Sequence, residues 1–173
     1  MNVNLTLANL WRFLILVAIQ TLVLKQMTTA AGAYFNVMLY PMFVFLLPVN
    51  LPTPFAVLAG LLAGFTVDYF YLPMGVHASA GAFAGFLRAV LLKVYEPSGG
   101  FNLRETILSP RYFGWPYIFR LMGLFYALFL FWYFSVEQFT FVYWGVITLK
   151  TVTAWPLTMI FAAFFLLLFN PKS

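Results

Sequence analysis

The chain contains no cysteine and a single histidine. The first absence removes disulfides, thiolate nucleophiles and cysteine-ligated metals together. The second removes any multi-histidine metal centre. Charge is scarce too. Only 8% of the 173 residues are Asp, Glu, Lys or Arg, against about a quarter in a soluble domain. Apolar residues make up 64% of the chain, and its mean hydropathy is +0.95. A surface so apolar cannot stay wetted, so the composition describes an integral membrane protein. The length suits a single transmembrane domain, 1–173, with no room for a soluble catalytic domain. The net charge of +5 comes from basic residues scattered at the ends of apolar runs. Such residues set topology and meet anionic lipid, so a bilayer is expected and nucleic acid is not. Arg12 interrupts the first apolar run, and no convincing small-residue cleavage site follows. A cleavable signal peptide is therefore not expected.

Six apolar runs stand out, at about 5–24, 33–47, 55–71, 77–95, 117–133 and 148–169. A membrane-crossing helix needs roughly 17–25 apolar residues, and the runs reach or approach that length. The expected fold is an all-α integral membrane protein, a six-helix polytopic bundle. The stretch 25–33, KQMTTAAGA, reads as a polar turn. Pro48, Pro52 and Pro54 make a stiff link that cannot continue a helix. Pro41 is expected to kink the second span and Pro156 to bend the last. Tyr143 and Trp144 read as interfacial, and 135–141, with Glu137, as a short link. The loop 96–116 contains Arg104, Arg111 and a short amphipathic turn at 103–108. It is the most basic connection, which places it in the cytoplasm. Six spans then put both termini there; a five-span count would put the tail outside.

Most of the small residues and intramembrane charges lie in the hairpin formed by 55–71 and 77–95. Gly60, Gly64 and Asp68 are spaced by four and share a helical face. The glycine pair is a small-xxx-small pattern that admits a second helix at close range. Pro73 and Gly75 stop one helix and reverse the chain. The next helix opens with His77 and Ala78, and small residues fill its first half. Asp68 has two readings: a partner contact or proton site, or an acceptor for the connector's backbone N–H groups and His77. Register favours His77 over Arg88 as its partner, because Arg88 lies roughly 12–15 Å deeper at 1.5 Å per residue. Arg88 shares a face with Ala80 and Ala84. It either snorkels past Lys93 or anchors a polar contact inside the bundle. Arg12 likewise snorkels or pairs within the bundle. No nucleophile–base pair, phosphate loop or metal spacing is evident. No enzymatic activity and no cofactor are expected.

The run LAGLLAGFTVDYFYLPMGVHASAGAFAGFLR, residues 58–88, resembles the signature region of the bacterial rod shape-determining MreD family, in its Bacteroidetes-type form. Gly60, Gly64, Asp68, Gly75, His77, Ala78 and Arg88 carry the resemblance. It implies a non-enzymatic inner-membrane scaffold of the cell-elongation machinery that supports rod shape and lateral peptidoglycan synthesis. The implied partners are an MreC-like membrane protein, the MreB cytoskeleton, the RodA glycosyltransferase and a penicillin-binding transpeptidase. The implied fold is similar to the substrate-binding subunit of energy-coupling-factor transporters. A vitamin-type substrate-binding subunit is the alternative reading.

Overall fold

The computed structural model describes residues 3–31, 36–71, 75–97, 100–101, 107–139 and 142–169. Among them the secondary structure is entirely helical, with no strand. The first helix, α1 (Val3–Ala18), runs directly into a π-helical segment, Ile19–Leu24, and then into α2 (Lys25–Ala31). The stretch expected as a polar turn at 25–33 is therefore helical as far as Ala31. Two of its polar side chains, Lys25 and Thr28, bond to backbone carbonyls while remaining helical. Thr28 Oγ1 donates to the Leu24 carbonyl at 3.0 Å. Lys25 Nζ donates to the Phe70 carbonyl and lies 5.6 Å from the centre of the Tyr71 ring.

The second run, expected as a span over 33–47, is not one helix. Residues 36–39 have no helical turn, and only α3 (Pro41–Phe45) is helical; 32–35 lie outside the described residues. Pro41 does not kink a helix but opens one, where its missing N–H costs nothing. Every residue from 37 to 47 is buried. This segment fills the centre of the bundle, which is why it reads as uniformly apolar.

The hairpin consists of α4 (Thr53–Asp68) and α5 (Val76–Val94). Residues 72–74 of its connector, including Pro73, lie outside the described residues. Gly75 precedes α5 with φ +98, a left-handed conformation open to glycine. Of the loop's amphipathic turn at 103–108, residues 102–106 lie outside the described residues, while Ile107 and Leu108 are fully buried. The short α6 (Pro110–Phe113) follows, with Ser109 Oγ accepting from Arg111 N at 3.3 Å.

The last two helices, α7 (Trp115–Gln138) and α8 (Trp144–Phe169), are longer than expected. Glu137 lies on α7 rather than in a link, and its carboxylate accepts from Lys150 Nζ of α8 at 2.7 Å. Pro156 lies inside α8 without ending it. Beside it, Trp155 Nε1 donates to the Gly123 carbonyl of α7 at 2.8 Å. Among the described residues, three helical stretches are long and apolar enough to cross a membrane: Leu7–Thr28, Trp115–Gln138 and Trp144–Phe169. At 16 residues α4 is a shorter apolar helix. Its rise is roughly 24 Å, short of a hydrocarbon core of about 30 Å.

Candidate functional site

The site is built on the contact between α4 and α5. Four glycines let the two backbones touch. A Cβ added to Gly60 would overlap the Gly81 carbonyl, and one added to Gly81 would overlap the Gly60 carbonyl. At Gly64 it would strike the His77 carbonyl and lie 2.8 Å from Ala78 Cα. At Gly85 it would lie 2.5 Å from the Ala56 carbonyl oxygen. The small-xxx-small spacing on α4 is thus answered by a matching pair on α5, and neither helix has room for a methyl group.

This close approach brings Asp68, at the end of α4, against the first turn of α5. Asp68 is 1% exposed. Its Oδ2 accepts from Gly75 N at 2.9 Å and from Ala78 N at 2.8 Å. Its Oδ1 accepts from His77 N and from His77 Nδ1, both at 3.0 Å. The opening N–H groups of a helix have no partner within the helix and carry partial positive charge. A carboxylate from the preceding helix meets both needs. It acts as a cap supplied across the hairpin, because the residue at the helix start, Gly75, has no side chain to do so.

A carboxylate only accepts, so the His77 Nδ1 facing it carries a proton. The ring is held among three tyrosines, with centroids 4.7 Å from Tyr71, 4.9 Å from Tyr133 and 5.8 Å from Tyr40. Tyr40 Oη donates to the His77 carbonyl at 3.1 Å. His77 Nε2 is buried and has no hydrogen-bond partner among the described residues.

The structure adds a residue that sequence reasoning missed. Gln20, on the π-helical segment, is 1% exposed. Its Oε1 accepts from Leu39 N at 2.6 Å, and its Nε2 donates to the Val37 carbonyl at 3.1 Å and to Tyr71 Oη at 3.3 Å. Tyr71 Oη in turn donates to the Gln20 carbonyl at 3.0 Å. Thr158 Oγ1 of α8 accepts from Met38 N at 3.3 Å. Non-helical backbone inside an apolar bundle survives only where protein groups satisfy it, and Gln20 and Thr158 do this for 37–39. The signal was present: Gln20 is the only amide side chain in the second half of the run 5–24. Gln20→Leu is expected to strand the Leu39 N–H and the Val37 carbonyl. The cost is about 2–6 kcal/mol, since each buried unsatisfied group costs about 1–3 kcal/mol. A lowered unfolding midpoint in detergent checks this.

Arg88 lies six residues short of the far end of α5, so it does not join Asp68 and His77. It neither reaches solvent nor meets a carboxylate among the described residues, and it is 2% exposed. Its Nη2 donates to the carbonyls of Leu47 and Pro48 at 2.5 and 2.9 Å, and its Nε to that of Phe45 at 3.4 Å. Of its two expected fates, the contact inside the bundle is realised. Arg88 closes the C-terminal end of α3, whose last carbonyls have no partner within the helix. Arg12 is half-buried and donates to Asn9 Oδ1 at 3.0 Å.

Of the residues singled out from the sequence, Gly64, Asp68, Gly75, His77 and Ala78 converge on one end of the hairpin, Gly60 packs against Gly81 near its middle, and Arg88 holds the other end. These features define a class: an all-helical protein with three helices able to cross a membrane, organised on a glycine-lined hairpin. No protein-family model, curated protein or solved structure matches the chain.

Proposed function

We propose that this protein is a non-enzymatic inner-membrane scaffold of the cell-elongation machinery, supporting rod shape and lateral peptidoglycan synthesis in the manner of the MreD family. The observation that carries the reading is how the hairpin uses its ionisable groups. Asp68 is spent on the backbone of the connector and on His77, and Arg88 on the carbonyls after α3. Both stabilise the chain's own fold, which leaves recognition to its apolar outer faces. On this reading six segments lie in the membrane: α1 with its π-helical and α2 continuation, the α3 segment, α4, α5, α7 and α8. The arrangement would be similar to the substrate-binding subunit of an energy-coupling-factor transporter, with both termini cytoplasmic. The partners are an MreC-like membrane protein, the MreB cytoskeleton, the RodA glycosyltransferase and a penicillin-binding transpeptidase. Depleting the protein in its own host tests this. Cells are expected to round up and lose lateral wall incorporation. Unchanged rods after complete depletion would oppose the reading.

One observation favours a second reading, a vitamin-type substrate-binding subunit of a transporter. The unpartnered His77 Nε2 sits among Tyr40, Tyr71 and Tyr133, and Tyr71 is bonded to Gln20. That combination of an acceptor and aromatic faces suits a small planar ligand. Mass spectrometry of small molecules released on denaturing the purified protein decides between the two. A stoichiometric organic ligand would favour the transporter subunit.

A further inference from the structure

Outside the hairpin, a groove of about 290 Å3 is lined by Pro110, Arg111, Trp115, Leu166 and Leu167. It lies where α7 begins and α8 ends, and both helices are long and apolar enough to cross a membrane. The groove therefore belongs at a membrane face. Its lining is graded in chemistry. Arg111 is exposed and has no ion pair among the described residues. Trp115 is of the residue type that settles at headgroup level. Leu166 is buried, while Leu167 beside it is 62% exposed. The cation is held in place by its short helix: Ser109 caps it, Pro110 opens it, and Gly114 at φ +79 turns the chain into α7.

We propose that this groove holds one anionic phospholipid of the surrounding bilayer, with its phosphate at Arg111 and an acyl chain along Trp115 and Leu167. An occupant must bring a negative charge and a long apolar chain, joined at the depth of the interface. A phospholipid has that form and is already present there at high concentration. Anionic headgroups add an attraction to each basic residue near the surface, roughly fivefold in affinity per Lys or Arg. The proposal requires α7 and α8 to cross the membrane but is independent of the cell-elongation reading.

The test is native mass spectrometry of the full chain in a non-ionic detergent. Phosphatidylglycerol and phosphatidylcholine of identical acyl chains are supplied in equal amounts. The wild-type chain is expected to retain phosphatidylglycerol about fivefold over phosphatidylcholine, the attraction of one basic contact. Arg111→Gln should abolish the preference and Arg111→Lys should keep part of it. Arg120→Gln removes an exposed cation of α7, outside the groove, and should leave the preference unchanged. Leu167→Trp should fill the groove and reduce retention of both lipids. Thermal melts confirm that each variant is folded. Equal retention of the two lipids by the wild type overturns the proposal. So does a preference that survives Arg111→Gln, one lost equally in Arg120→Gln, or normal retention by Leu167→Trp. Displacement of the lipid by an equal concentration of soluble glycerol phosphate would also overturn it, since the acyl chain would then contribute nothing.

Discussion

Gly64→Ala is expected to prevent the folded protein from accumulating in membranes. Two effects oppose each other. Alanine gains about 1 kcal/mol of helix propensity over glycine. Against this, the new methyl would overlap the His77 carbonyl and press on Ala78 Cα. Both obstacles are backbone, so no side chain can rotate away, and relief requires α4 and α5 to separate. Overpacking a core ordinarily costs about 1–3 kcal/mol, and more where nothing can yield. Separation would also pull Asp68 from the start of α5, so the loss should exceed about 3 kcal/mol. Gly145→Ala is the control, because a methyl there meets no atom within 4 Å. Membrane level and unfolding midpoint in detergent are the measurements. Gly145→Ala should match the wild type, and Gly64→Leu should be at least as damaging as Gly64→Ala. A stable Gly64→Ala protein would mean that the hairpin is more loosely packed than described.

Asp68→Ala should be comparably severe for a different reason. It strands the N–H groups of His77 and Ala78, both in the first turn of α5, together with the His77 ring nitrogen. Gly75 N loses its acceptor too, but Gly75 is exposed and water can serve it. Leaving Gly75 aside, three stranded groups at about 1–3 kcal/mol each give a loss of about 3–9 kcal/mol. Asp68→Asn is the more informative change. The amide retains one acceptor oxygen, but its NH2 turns toward donors that cannot accept. About half the loss is expected, with the charge removed and the shape kept. If Asp68→Asn folds but no longer holds partner proteins, the carboxylate also acts at a contact. If protein level and partner binding fall together, its role is the capping described above.

The hairpin was legible in the sequence because its signals are local and specific. Glycines four apart, an aspartate one turn further on, and a glycine at the reversal each have few alternative uses. Helical rise, in a hairpin turning at 72–76, favoured His77 over Arg88 as the partner of Asp68, and the structure pairs them. Arg88 was half legible: its face could be read, but its acceptors are carbonyls, which every residue has. The segment 37–47 was not legible. A run buried on all sides looks equally apolar as a spanning helix or as a central plug, and Pro41 fits a kink or a helix start. The helical continuation past Lys25 was hidden for a related reason. Lys25 finds its acceptor in the Phe70 carbonyl, a partner distant in sequence.

We propose that a glycine-pinched hairpin supports a bundle that recognises other membrane proteins and performs no chemistry. The most direct test is co-purification of the wild-type chain with an MreC-like protein from the same organism, co-expressed and extracted in mild detergent. A complex of defined stoichiometry is expected, absent for Gly64→Ala and intact for Gly145→Ala. Well-folded wild-type protein that never retains the MreC-like chain would contradict the claim.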